Sequence, residues 1–313
     1  MMKIIFFYFI INVRDDSMDE LIGKFSEYML TIRNYSNNTE VNYIYDLDCY
    51  STYIKKNKID YKNINYKEIN EYIKYLKEKR LYNSRSINRH LSSLRSFYNY
   101  LINENIITNN PFKVIKGPKK EKRLPNYMKY FEFEAMVDSC ENTNLGIRNR
   151  CLLEVLLATG ARISEVVNIK INDISLNNHE IKVLGKGNKE RIVYFTDLTE
   201  NILKTYINDV RPILLKNKSN NYLFINHLGN QLTSRGARDI IDKIILKSSI
   251  NSKVTPHTFR HTFATMLLNE GCDLKSVQEL LGHVNLSTTS IYTHITNARI
   301  KDIYLHTHPR ERK

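Results

Sequence analysis

Apolar positions recur at helical spacing from Met18 onward. In MDELIGKFSEYMLTIRNYS, residues Leu21, Ile22, Phe25, Tyr28 and Met29 fall on one face of a 3.6-residue turn. Residues 36–39 (Ser-Asn-Asn-Thr) offer side-chain caps ahead of a second helix, TEVNYIYDLDCYSTYIKK. INEYIKYLKEK, at 69–79, predicts a third helix, and residues 84–103 predict a fourth. This fourth helix has two faces. Ile87, Leu91, Leu94, Phe97, Tyr98 and Leu101 make an apolar side, and Arg85, Asn88, Arg89, Ser92 and Arg95 make a basic, hydroxyl-bearing one. Such a stripe suits phosphates, although most polar stripes are simply solvated helix faces. Asn109-Asn110-Pro111 ends the block, and residues 113–125 (KVIKGPKKEKRLP) show no apolar period. Their Gly, Pro and lysine content reads as a basic interdomain linker, with Lys119 and Lys120 placed to follow a polyanion.

The pattern changes after residue 126. Helices are expected over 130–140 and 146–159, the second apolar around nearly its whole circumference and so buried. Residues 161–167 continue helically past Gly160. In EIKVLGKGNKERIVYF (180–195), two β-branched runs flank Gly-Lys-Gly-Asn, which predicts a strand pair. Helices follow near 201–216, 234–247, 258–269, 273–281 and 288–293. The expected fold is mainly α with a small β-sheet: a helical domain at 18–112, a linker at 113–125 and a second domain at 126–313. Residues 1–17 stand apart. Their apolar run at 4–13 is too short to span a bilayer, and Arg14-Asp15-Asp16 follows where a cleavage site would need small residues. They are expected to lie outside the fold.

Composition adds a partner class. With 313 residues the chain can bury two cores, and 47 Lys and Arg against 33 Asp and Glu give a net charge of +14. That balance favours a polyanion through counterion release, though a lysine-rich coding bias gives the same count. The four cysteines (Cys49, Cys140, Cys151, Cys272) form no CxxC, which argues against a disulfide framework or a zinc ribbon. Cys151 falls in the apolar helix and reads as core. A reduced cytoplasmic setting fits this usage.

Chemistry concentrates in TPHTFRHTFATMLLNEGCDLKSVQELLGHVNLSTTSIYTH, residues 255–294. His257 and Arg260 are helical neighbours at i,i+3, just after Pro256 at a helix start. His283 follows Gly282, a good helix-ending residue. Tyr292 lies in a short polar segment beyond it. A phenol can attack a phosphodiester, an arginine can hold the phosphate oxygens, and histidines can move protons. An ordinary phenol titrates near 10, so Tyr292 would need cations or a base beside it. His257 and His261 also sit at metal-ligand spacing, but Thr258 stands where an HExxH site needs glutamate, and Arg260 opposes a cation. Upstream, Arg162 and Glu165 form an i,i+3 pair after Gly160, and Lys186 stands at the tip of the strand pair. Taken singly, the first reads equally as a structural ion pair and the second as a solvated lysine.

Together, in the order Arg162, Lys186, His257-x-x-Arg260, Leu281-Gly-His283, Tyr292, these residues resemble the tyrosine recombinase (phage integrase) family. ATGARISEVVNIKINDI is similar to its first arginine box, GKGNKER to its hairpin lysine box, and HTFRHTFATMLLNEG, VQELLGH and STTSIYTHI to the segments through its nucleophile. LGKGNKER, VQELLGHVNLSTTSIYTH and the closing HPRERK look most like the Xer branch. The likeness runs nearly the whole chain from Met18.

The resemblance implies a two-domain DNA clamp, with an N-terminal helical core-binding domain and a C-terminal α+β catalytic domain. It implies site-specific recombination through a 3′-phosphotyrosyl intermediate formed by Tyr292. Arg162, Lys186, His257, Arg260 and His283 would complete the catalytic set, and Glu165 would orient its neighbours. It also implies double-stranded DNA as substrate, no cofactor and no metal, and a homo- or hetero-tetramer that exchanges C-terminal tails. A septal DNA translocase or a DNA-bending protein would be an accessory partner. The biological task would be resolution of chromosome or plasmid dimers. A mobile-element integrase, a DNA-binding protein without cleavage activity and a type IB topoisomerase are the alternatives. Arg85, Arg89, Arg95, Lys119 and Lys120 are the candidate DNA contacts of the N-terminal part.

Overall fold

The computed structural model describes residues 17–33, 35, 37–119, 127–185, 189–250, 252, 254–282 and 297–308. The chain divides into two compact units, Met1–Arg123 and Leu124–Lys313.

Among the described residues the first unit holds four helices: α1 (Met18–Thr31), α2 (Asn37–Asn57), α3 (Tyr66–Glu78) and α4 (Ser84–Asn103). Their starts follow local chemistry. Ser17, which the sequence places in the N-terminal extension, caps α1 in a reciprocal box with Glu20. Asn65 and Glu68 do the same for α3, and Asn83 caps α4. The expected apolar face of α4 is wholly buried, packed with Phe25, Tyr50, Tyr72 and Phe112. Burying a side chain such as Phe97 contributes roughly 1.5–3 kcal/mol.

That core also encloses charge. Asp46 is buried, with Oδ1 3.0 Å from Arg89 Nη2 and 2.9 Å from Nε2 of the buried His90. Paired this way, the carboxylate escapes the large cost of a lone buried charge. The polar stripe of α4 likewise serves the unit itself. Arg95 donates to the carbonyls of Phe112 (3.1 Å) and Ile115 (3.0 Å), and Asn88 Nδ2 donates to that of Pro118 (2.9 Å). A Cβ at Gly117 would meet Asn88 Oδ1 at 2.2 Å. Residues 113–118, expected as linker, therefore pack onto α4.

The second unit is built around α6 (Asn144–Thr159), with Cys151, Leu152, Leu153, Val155, Leu156 and Leu157 all buried, as the unbroken apolar run predicts. Around it stand α5 (Tyr130–Asp138), α7 (Ile163–Val166), α8 (Asp197–Thr205), α9 (Arg211–Leu215), α10 (Ser234–Lys247), α11 (Pro256–Asn269), α12 (Leu274–Leu281) and α13 (Asn297–Thr307). The strand pair is present as antiparallel β2 (Glu180–Leu184) and β3 (Glu190–Tyr194), running from Glu180 opposite Tyr194 to Leu184 opposite Glu190. A short β1 (Ile174–Ser175) adds a third strand on β2. Helix α8 begins before the expected 201, because Thr196 Oγ1 accepts from Thr199 N and caps it. A wider turn over Tyr206–Val210 joins it to α9. The helix expected near 288–293 lies outside the described residues.

Helix α13 was not anticipated. Its Tyr304 is fully buried among Tyr194, Phe263, Leu267, Leu280 and Leu281, and its hydroxyl donates to Ala158 O at 3.1 Å. His308 is buried just beyond it, 5.0 Å ring to ring from Tyr304.

Candidate active site

The site begins where α6 ends. Gly160 takes the left-handed conformation (φ +57°), and a Cβ there would stand 2.4 Å from Phe263 Cδ1, so glycine is required on both counts. The turn that follows sets Arg162 ahead of α7. Glu165, three residues on, is 3 % exposed, and both its oxygens are fully engaged. Oε2 accepts from Arg162 N (2.8 Å), and Oε1 accepts from Arg162 Nη1 (2.7 Å). From strand β3, Arg191 adds two parallel bonds, Nη1 to Oε1 at 2.9 Å and Nη2 to Oε2 at 2.8 Å. Burial works to raise the Glu165 carboxyl pKa. The bonds from Arg191 and Arg162 outweigh it and hold the group below the ordinary glutamate value.

Arg260, in the second turn of α11, is buried beside this pair. Its Nη1 donates to Gly160 O (2.9 Å) and its Nη2 to Leu281 O (2.6 Å). These carbonyls close α6 and α12, so the cation meets the negative ends of two helices. Burial, with the charges of Arg162 and Arg191 beside it, pushes the guanidinium down to about 10. It remains charged at neutral pH. Two arginines thus share one carboxylate with the Arg260 charge beside them, and the cluster carries an excess of positive charge. A tetrahedral anion is the natural complement to such an excess.

The remaining expected residues fall around this centre to different degrees. His257 is exposed at the start of α11, and His261 is half-buried one turn on. Gly282 ends α12 with φ +66°, one residue before His283. Lys186, His283 and Tyr292 lie outside the described residues, as does Lys120. Of the candidate DNA contacts in the first unit, Arg85 and Lys119 are exposed, while Arg89 and Arg95 bond within their own unit. Arg191 was missed as a member of the site. Its signal was the final letter of GKGNKER, which a strand pattern assigns to the ladder without saying what its side chain meets.

Among the described residues, His179, Asp197 and Glu200 bring metal-type ligand atoms within 4.8 Å of one another. Lys204 already stands 2.8 Å from Glu200 and supplies its countercharge. No helix among the described residues is long and apolar enough to cross a membrane.

Residues 126–299 match the phage integrase family, and residues 22–105 match its N-terminal SAM-like domain. The chain is 40 % identical to tyrosine recombinase XerC of Anoxybacillus flavithermus, over 94 % of this chain and 99 % of that one. It is equally 40 % identical to tyrosine recombinase XerC of Staphylococcus saprophyticus, over 91 % of this chain and 96 % of the relative. Among solved structures, XerH site-specific recombinase bound to palindromic difH substrate in a post-cleavage complex aligns with a TM-score of 0.69 and 27 % identity, over 92 % of this chain and 84 % of that one. With a helical first unit, a second unit carrying a small sheet and an arginine cluster at the latter's centre, the chain belongs to the phage integrase family and is a tyrosine site-specific recombinase, most similar to the Xer branch.

Proposed function

We propose that the protein cuts and rejoins DNA at a specific site through a 3′-phosphotyrosyl intermediate, with Tyr292 as nucleophile. The observation that carries this reading is the cluster of Arg162 and Arg191 on the carboxylate of Glu165, with the charge of Arg260 beside them. It is a preformed seat for a phosphate in the unit that also bears Tyr292. In the reaction, the Tyr292 oxygen bonds to the scissile phosphorus and the bond to the 5′-oxygen breaks. Lys186 gives that oxygen its proton and frees a 5′-hydroxyl. Arg162 and Arg260 bind the non-bridging oxygens and stabilise the charge of the transition state. Two of the five N–H groups of Arg260 are committed to carbonyls, which leaves others for phosphate. His257 assists proton transfer, and His283 hydrogen-bonds the phosphate. A 5′-hydroxyl from the partner strand then reverses the step. The ester bond is conserved throughout, so the chemistry calls for no ATP, metal or other cofactor.

The likeness to XerC relatives along nearly the whole chain supports resolution of chromosome or plasmid dimers in the cytoplasm, by a tetramer on two DNA sites. Exposed Arg85 and Lys119, with Lys120 next in sequence, would contact the backbone from the first unit. The test is covalent trapping on fragmented host DNA, wild type beside Tyr292→Phe, with sequencing of the attached ends. Adducts from wild type alone, clustered at one chromosomal sequence, are expected, while Tyr292→Phe binds DNA normally. Adducts formed by Tyr292→Phe would remove the nucleophile assignment. Clusters at the boundary of a mobile element would replace dimer resolution with integration.

A further inference from the structure

Arg191 adds its charge to the arginine cluster but is assigned no reacting role, and its hydrogen bonds reach both oxygens of Glu165. It stands opposite Val183 in the β2–β3 ladder, with its side chain 15 % exposed. Its two bonds to Glu165 are the bidentate kind, which fixes orientation as well as distance. Arg162 leans on the same carboxylate, so its place depends on an acid that Arg191 has already fixed. One glycine makes room for Arg191, and a second, Gly185, the residue before Lys186, lies in ordinary contact range of its Nη1, where a Cβ would stand at 3.5 Å. A Cβ at Gly282, the residue before His283, would lie 2.8 Å from its Cδ and 3.1 Å from its Nε. That Nε is a buried donor with no acceptor among the described residues.

We propose that Arg191 is a positioning residue. It locks Glu165, and through it Arg162, against Gly185, the residue before Lys186, and Gly282, the residue before His283. This rests on the reading of Arg162, Lys186 and His283 as the reacting groups. Lysine at 191 would keep the charge but lose the fork, and with it the fixed angle between these three segments.

The experiment uses full-length protein and a duplex bearing the sequence recovered by wild-type trapping, made with either oxygen or sulfur at the 5′-bridging position of the scissile phosphate. A thiolate leaves without a proton, so sulfur removes the need for a well-placed acid. Arg191→Lys is expected to bind DNA as wild type, to cleave the oxygen duplex about 10²-fold more slowly, and to recover on sulfur the part of that loss that comes from the displaced acid. Lys186→Ala is the control and should be rescued in the same way. Wild-type cleavage by Arg191→Lys overturns the proposal. So does a loss that sulfur leaves untouched while Lys186→Ala is rescued. If Lys186→Ala is itself not rescued, the assignment of Lys186 as acid has failed, and this inference falls with it. Should Arg191→Lys lose its cooperative melting, the double variant Glu165→Gln/Arg191→Gln, which removes both buried charges together, takes its place in the same comparison.

Discussion

At the scale of single residues, Glu165 decides how the site tolerates its own charge. One buried acid separates cations that would otherwise repel, and it does so only while ionised. Its pKa is lowered in the folded protein, so its contribution is present in full above the unfolded value near 4.5 and is lost as pH falls through the lower, folded value. Thermal melting between pH 3 and 6 should therefore show a loss of stability below about 4.5 that Glu165→Gln flattens. An equally steep acid limb in that variant would mean that other carboxylates carry the dependence. The pairing of Arg162 with Glu165 was legible in the sequence, because a helix puts i and i+3 side by side. Arg191 was not, because its bond to Glu165 crosses 26 positions of chain from strand to helix. Only the folded path of the chain brings such a pair together.

At the scale of elements, the joints matter more than the rods. Arg260 ties the last turns of α6 and α12 through two carbonyls, and Gly160 lets α6 stop where that tie requires it. Gly160→Ala has to hold a left-handed backbone and push Phe263 aside, which should cost about 2–4 kcal/mol in denaturant melts. A loss below about 1 kcal/mol would show that the joint yields easily. Helix α4 could be read in advance from its periodicity, and α6 from its unbroken apolar run. Strand β1 could not, since two residues carry no period. Helix α13 escaped because the residues that make it matter, Tyr304 and His308, are ones that surface helices also carry. Their burial is set by the groove they meet, formed by Phe263, Leu267 and Leu280.

At the scale of the whole molecule, the charge of +14 should govern the encounter with DNA. A protein that makes 6–10 phosphate contacts loses about 10³–10⁵ in affinity between 50 and 200 mM salt. Fluorescence anisotropy on a labelled duplex is expected to show a slope of this size. A flat salt response would place the basic residues away from the phosphates. Helix α13 bears on assembly in a different way. The groove it fills belongs to its own chain, and every copy of the protein carries the same groove and the same plug. Trading one for the other between two copies would leave each contact chemically unchanged, so the balance is set by proximity alone. A dilute chain satisfies itself. If copies assemble on one stretch of DNA as proposed, they would raise one another's local concentration towards the millimolar range, where a neighbour's groove would compete on equal terms.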